Sequence, residues 1–431
     1  MEKFSGKGCG CLLSVRTPAE GFNTAAEMLL RDSCNTLGTM ASETPHQHSV
    51  PQPYGDSREP RLHHDAMAMR TVFIAPKRAD RPCDVGSQSS DLSPASLGDS
   101  NRPIAGCPFC AGNESLAPPD VLRLPDSLAL PWNVRIIPNR FPVVEDCRTP
   151  GAISDAISGQ MNARGFRAAH GVHDVLIESP LHDRTILSIQ AQQWRDAWEL
   201  CRRRIEAFAE RGDLAWATVF KNSGPRAGAS LEHLHSQLVA LDFVPPTMAE
   251  ELAAARRIAD PFGEMLRQAE TDGRIVTQSG DLVAIVPVAP RQPFETWIVP
   301  RTPEPYFHST SPSRLDALAD LTQRLIGALD RLVPGADYNW WLHQAPFAAA
   351  CHAGKIPSNW HWHLEILPRL ASLAGFELGT GCHITTFSAE DSARRLREAS
   401  SAVETGLGVH KKFRQPLPAL QTGGRNGHSL P

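Results

Sequence analysis

Phe220-Lys-Asn-Ser-Gly-Pro-Arg-Ala-Gly-Ala-Ser-Leu-Glu-His-Leu-His-Ser-Gln-Leu-Val-Ala-Leu241 is a run of small residues leading into an alternating apolar segment, the pattern of a phosphate-holding loop that feeds a strand. With Leu234, Ser236 and Leu238 on one face, the two-residue period of a strand puts His233, His235 and Gln237 together on the other. Two imidazoles and an amide then look into one site. Neutral imidazole is a nucleophile toward phosphorus, and a neighbouring imidazole held by a metal or a carboxylate can fix its position and tautomer.

Working outward, residues 215–220 are a strand entering this loop, and residues 188–211 form a helix, with Ile189, Trp194, Trp198, Cys201, Ile205 and Phe208 near helical spacing. Upstream, residues 171–180 alternate as a strand that ends at Leu181-His182-Asp183. Downstream, an amphipathic helix is expected over 247–270, then strands in 274–285 and 295–299, a helix over 312–332, and strands at 338–343 and 360–367. Both halves thus read strand, strand, long helix, and then a strand carrying His-x-His. This duplication predicts an α+β fold of two related domains, 67–245 and 246–403, each an antiparallel sheet with packed helices. Residues 1–66 and 404–431 lack a sustained apolar period and are expected to be disordered extensions.

The 431 residues and 41% hydrophobic content suffice for such cores, and a formal charge of -4 gives no reason to expect a nucleic acid polymer or an anionic membrane as partner. No apolar run approaches the roughly 20 residues of a membrane helix, and the apolar patch at 11–15 is too short for a secretory core. A cytoplasmic setting is expected, and with it ten reduced cysteines. Only Cys107 and Cys110 are spaced as metal ligands; by itself that spacing also fits a redox pair or chance. Lys77, Arg78 and Arg81 form a basic turn, and Asn139, Arg140 and Phe141 occupy a turn where asparagine is favoured by geometry alone.

Taken together, residues 74–82, Cys107-Pro-Phe-Cys-Ala-Gly-Asn-Glu114, 132–142, Glu178-Ser-Pro-Leu-His182, 222–237 and His361-Trp-His363 resemble, in content and order, the galactose-1-phosphate uridylyltransferases of the histidine-triad superfamily. The resemblance spans roughly residues 70 to 385. It implies a structural Zn2+ on Cys107, Cys110, His182 and His233, four ligand types that suit a closed tetrahedral site. It implies that His235 attacks the α-phosphorus of a nucleotide sugar, expels a sugar 1-phosphate and holds the nucleotidyl group for a phosphate acceptor, with Gln237, Gly228 and Ser230 donating to the phosphoryl oxygens. Arg78 and Arg81, with Arg226, would neutralise phosphates, while Asn139, Phe141 and Asn222 would line the nucleoside pocket.

In the second half the resemblance implies a divalent metal, Zn2+ or Fe2+, on Glu251, His343, His361 and His363. Hydrogen bonding of those histidines around a sugar pocket is the other reading. Glu377, in 375–381, matches a loop that meets hexose hydroxyls. A homodimer is implied, because in this family each active site takes loops from the second subunit. The activity implied is UDP-glucose:hexose-1-phosphate uridylyltransferase, in galactose metabolism. Departures from the pattern leave base and sugar open: Leu234 stands where the bacterial enzymes have proline, Ser236 where they have glycine, and Ala371 and Ser372 where they have lysine and an aromatic. A branch that includes ADP-glucose:phosphate adenylyltransferases shares the serine. The alternatives are therefore an ADP-sugar phosphorylase or adenylyltransferase, and a non-catalytic, zinc-stabilised nucleotide-binding module.

Overall fold

The computed structural model describes residues 59–65, 70–74, 77, 80, 103–146, 166–347, 356, 359–360 and 361–404. Ten strands make one sheet: β3 (Leu122–Leu124), β4 (Val134–Pro138), β6 (Gly171–Ile177), β7 (Trp216–Ser223), β8 (His235–Leu241), β9 (Ile275–Ser279), β10 (Leu282–Ile285), β11 (Thr296–Pro300), β12 (Tyr338–His343) and β13 (His363–Pro368). Their order is β3-β4-β6-β8-β7-β12-β13-β11-β10-β9. Each half contributes five strands in the same relative order, and β7 joins β12 antiparallel, with Asn222 opposite Asn339. The expected duplication is therefore present, but as two halves of one continuous sheet. β1 (Arg61–Asp65), β2 (Arg70–Ile74) and β5 (Phe166–Ala168) form a separate three-stranded sheet.

One sheet face carries α1 (Ala191–Ala209), α4 (Pro312–Leu332) and α6 (Ala389–Glu404). The apolar stripe of α1 buries Trp194, Trp198, Leu200, Cys201, Ile205 and Phe208. Trp194 and Trp198 both pack on Trp340 of β12, with ring centroids 5.7 and 5.9 Å apart, so one core runs beneath both halves. The opposite face carries α2 (Pro246–Ala255) and α3 (Pro261–Thr271), through Met248, Leu252, Phe262 and Leu266.

Two expectations are corrected. β1 lies inside the stretch assigned to the N-terminal extension. It escapes a periodicity search because Leu62 is its only aliphatic residue, yet Leu62 is buried and the strand pairs on both sides. The single helix expected over 247–270 is two helices: Asp260 accepts from the Gly263 amide as N-cap and Pro261 opens the second helix, a stop and restart that proline enforces. Arg78, Arg81 and the residues after Glu404 lie outside the described residues.

Candidate active site

Segment 103–113 folds as a knuckle, with the Cys110 amide donating to the Cys107 carbonyl and the Ala111 amide to the Pro180 carbonyl. The second bond docks the knuckle on the turn that carries His182. The four atoms that Cys107, Cys110, His182 and His233 can offer a cation then lie within 4.8 Å of one another. Cys107 Sγ and Cys110 Sγ are each 3.5 Å from His233 Nδ1, and Cys110 Sγ is 3.5 Å from His182 Nδ1. A tetrahedral zinc with ordinary Zn–S and Zn–N bonds demands a sulfur–nitrogen edge of about 3.5 Å, so these residues fit that ion. The other nitrogen of His233, Nε2, lies 2.9 Å from the Ser179 carbonyl, the outer-shell bond that fixes a ligating imidazole's tautomer. Burial lowers the His233 pKa to about 3 and raises the Cys107 thiol to about 11.

Two residues on, β8 presents His235. Its Nδ1 donates to the His233 carbonyl at 2.7 Å, so the lone pair resides on Nε2. His235 and Gln237 line a cleft of about 960 Å³ together with Asn139, Phe141 and Ser230, a volume suited to a nucleotide-sized ligand. Phe109 packs against both histidines, at 5.8 Å from His233 and 5.4 Å from His235. Ser230 Oγ is buried without a hydrogen-bond partner among the described residues; such a group is costly unless a ligand satisfies it. Gly228 ends the loop's short turn at a φ of 80°, a conformation that glycine adopts without strain.

Three groups that sequence reasoning did not single out hold these residues. His173 accepts from the Val143 amide at Nδ1 (3.1 Å), and its Nε2 lies 3.0 Å from both Gln237 Oε1 and Asn139 Nδ2, so that one ring ties the two cleft residues together. Under β8, Lys221 Nζ donates to Glu178 Oε2 at 2.6 Å and to the His235 carbonyl at 2.7 Å, while Ser236 Oγ donates to Glu178 Oε1 at 2.5 Å. Burial lowers the Lys221 pKa, against the pull of Glu178. From the second half, Asn339 Nδ2 donates to Asn222 Oδ1 (2.8 Å) and to the Ala227 carbonyl (2.9 Å), and Asp337 accepts from the Arg226 amide (2.7 Å). An alternation test sees Lys221 as a surface charge; its partner, 43 positions away, gives no local signal.

In the second half, Glu251 of α2 meets His343 Nδ1 at 2.8 Å and His363 Nε2 at 3.2 Å, and these three could hold a cation. Glu365 lies 3.4 and 3.7 Å from the same nitrogens. Although burial opposes it, the Glu251 and Glu365 carboxylates push the His363 pKa up to about 10. His361 does not join this group: its Nδ1 lies 2.7 Å from the Pro300 carbonyl and its ring stacks on Phe262. Its position before β13, in an isolated bridge to Glu304, turns it away from the cluster. Glu377 is likewise off the cleft. The segment expected as a loop forms the one-turn helix α5 (Gly375–Thr380), in which the Glu377 carboxylate accepts from the Ala374 amide at 3.0 Å.

The model of the galactose-1-phosphate uridyl transferase N-terminal domain matches residues 56–245, and that of a domain of unknown function, DUF4921, matches 203–409. ADP-glucose phosphorylase of Arabidopsis thaliana is 32% identical over 350 residues, 80% of this chain and 95% of that protein. A galactose-1-phosphate uridylyltransferase of Thermotoga maritima is 24% identical over 304 residues, 68% of this chain and 89% of that protein. The crystal structure of the Arabidopsis ADP-glucose phosphorylase with bound ADP-glucose superposes with a TM-score of 0.60 at 30% identity, covering 79% of this chain and 98% of that one. Among the described residues no helix is long and apolar enough to cross a membrane. The chain is a nucleotidyltransferase-like enzyme that belongs to the galactose-1-phosphate uridylyltransferase family, including its ADP-glucose phosphorylase branch.

Proposed function

We propose that the chain moves a nucleoside monophosphate from a nucleotide sugar to a phosphate acceptor through a covalent intermediate on His235, and that its donor is an ADP-sugar with orthophosphate as acceptor. The observation that carries the covalent step is the 2.7 Å bond from His235 Nδ1 to the His233 carbonyl. It fixes the tautomer in which Nε2 is the nucleophile. In the first step Nε2 forms a bond to the α-phosphorus as the bond to the sugar 1-phosphate oxygen breaks. In the second, an acceptor oxygen attacks, the phosphorus–nitrogen bond breaks, and its electron pair returns to Nε2. The Gln237 amide and Ser230 hydroxyl donate to the phosphoryl oxygens, and Asn139 and Phe141 receive the nucleoside, while Asn222, which lines the smaller cavity beside His235, meets the substrate on its phosphate side.

Support for the adenine branch is the 32% identity to an ADP-glucose phosphorylase, together with Ser236. A second reading, uridylyl exchange between UDP-glucose and a hexose 1-phosphate, is favoured by the lower-identity uridylyltransferase relatives. Cys107, Cys110, His182 and His233 would hold a structural zinc whose effect is to stiffen the strand that presents His235. Glu251, His343 and His363 would hold a second divalent ion. A homodimer and a cytoplasmic setting belong to the same reading. Incubation of the protein with ADP-glucose or UDP-glucose labelled at the α-phosphate tests it: acid-labile label on His235 from ADP-glucose, discharged by orthophosphate as ADP, is expected. Label from UDP-glucose alone, discharged by galactose 1-phosphate, would instead establish the second reading.

A further inference from the structure

Arg184 has no part in the roles above. It stands two residues after His182 and pairs with Glu232, the residue before His233, at 2.6 Å; its side chain is 54% exposed. It lines the large cleft beside His235 and Gln237, and also a second cavity of about 170 Å³ that reaches Asn222 and Gly224 on the other side of the loop. His235 lines both cavities. Among the described residues that line both, Arg184 is the only arginine or lysine.

The backbone carrying this guanidinium is stiffly mounted. The Asp183 carbonyl accepts from the Leu234 amide at 2.8 Å, Ser179 Oγ donates to Asp183 Oδ2 at 2.6 Å, and His182 belongs to the Cys/His group. Among the described residues the side chain itself is held by a part-exposed ion pair, and such pairs are weak. A cavity of this size is below the usual range for a nucleoside or a sugar nucleotide but accommodates a phosphate-sized anion. The Glu232 carboxylate would repel such an anion if Arg184 did not neutralise it, and the planar fork of arginine matches two oxygens of one phosphate.

We propose that Arg184 is the clamp for the phosphate oxyanion exchanged at His235, with Glu232 holding the guanidinium while no anion is present. The inference rests on His235 being the nucleophile. The oxyanion is the group that departs as the phosphorus–Nε2 bond forms, and the one whose oxygen supplies the electron pair for the new phosphorus–oxygen bond as phosphorus–Nε2 breaks. Orthophosphate and a sugar 1-phosphate share that chemistry.

The full-length wild type, Arg184→Ala, Arg184→Lys and Glu232→Gln would each be charged with labelled nucleotide from two donors. One is a nucleotide sugar; the other is a nucleoside 5′-phosphorimidazolide, whose leaving group is imidazole and needs no anion clamp. Arg184→Ala should charge normally from the imidazolide, while discharge to acceptor shows a KM raised by about 10- to 100-fold, the loss of one charge-assisted bidentate contact. Arg184→Lys should fall between, and Glu232→Gln should shift the acceptor KM the opposite way. Orthophosphate and glucose 1-phosphate are tested separately, and an effect on one alone identifies the anion. Unchanged KM for both acceptors in Arg184→Ala, or imidazolide charging that drops as far as discharge, overturns the clamp. A wild type that takes no label from any donor overturns the reading of His235 itself, which separates the two failures.

Discussion

β8 and β13 hold the same place in their halves of the sheet, each fourth from its outer edge, and each follows or carries a His-x-His. In β13, His363 pairs with His343 and Leu364 with Leu342. In β8 the register ends at Gln237 opposite Phe220; carried two residues further, it sets His235 against Asn222 and Ser236 against Lys221. The segment before the first strand of each half makes the difference. In the second half it folds as α2 and α3, which bring Glu251 and Phe262 down over His363 and leave it fully buried. In the first half it folds as the cysteine knuckle, which grips His233 and leaves His235 lining a cleft. Both segments set a phenyl ring against their two histidines. One architecture thus yields an imidazole that lines a cleft where the cover is partial, and an imidazole set between two carboxylates where the cover is complete.

The sharpest way to break this comparison is to truncate each histidine in turn. His235→Gly should lower turnover by on the order of 10⁴- to 10⁶-fold, as loss of a covalent nucleophile does, with ligand binding and thermal stability nearly unchanged. An activated nucleotide imidazolide should restore transfer to acceptor by filling the vacated space. His363→Gly should keep labelling on His235 but destabilise the fold by about 3–5 kcal/mol, because a fully buried ring is removed and Glu251 and Glu365 keep only His343 and Arg291 as partners. Labelled protein and melting curves for the two variants check this; labelling that survives in His235→Gly would mean that the nucleophile lies elsewhere.

Next in size is metal. Prolonged chelation, or Cys110→Ser, should lower stability by several kcal/mol, since two thiols and two imidazoles lose what gathers them. Elemental analysis should return one zinc per chain that Cys110→Ser loses and Glu251→Gln keeps, and a second divalent ion that Glu251→Gln loses. Full activity in a preparation without zinc would refute the role given to the knuckle.

How much of this could be read from sequence follows from the range of the interactions. The strand period put His233, His235 and Gln237 on one face, and it holds for His235 and Gln237, which line the cleft, whereas His233 precedes β8 and joins the Cys-x-x-Cys pair; both patterns are local signals. The Glu178–Lys221–Ser236 network was not legible, because a lysine in mid-strand looks solvent-facing until a carboxylate from another strand meets it. His361 was expected beside His363 by resemblance, but the two share a strand face only if both are in the strand, and His361 lies before it. Glu377 was assigned to a sugar loop by resemblance, whereas locally it closes a helical turn.

The buried pair marks another contrast between the halves. Where the first half has Lys221 beside Ser236, the second has Leu342 beside Leu364. Lys221→Met should cost about 3–5 kcal/mol, because Glu178 keeps a buried charge that only the Ser236 hydroxyl meets, and a Lys221→Met/Glu178→Gln double variant should recover part of that. A double-mutant cycle on stability measures the coupling. The rate of His235 labelling should fall as well, since Lys221 also fixes the His235 carbonyl. A cycle with no coupling would show that the pair does not act as a unit.

The smallest expected effect concerns what the second half contributes to the first. Asn339 is a β12 residue, yet both hydrogens of its amide are used on the first half's loop, on Asn222 Oδ1 and the Ala227 carbonyl. The loop needs such support because Gly224, at a φ of 86°, lies so close to Asp337 that a Cβ there would meet its carboxylate at 1.8 Å. Asn339→Ala removes two neutral hydrogen bonds without touching the cleft, so stability should fall by only about 1–2 kcal/mol. If Asn222 is a substrate-binding group, the same change should raise the nucleotide-sugar KM by roughly 3- to 10-fold, because the Asn222 amide is then free to turn. Asn222→Ala in the Asn339→Ala background should add little, as both changes remove one positioned amide. Independent, additive losses would mean that Asn339 acts on the loop backbone alone, and that the second half serves the active site through packing rather than through Asn222.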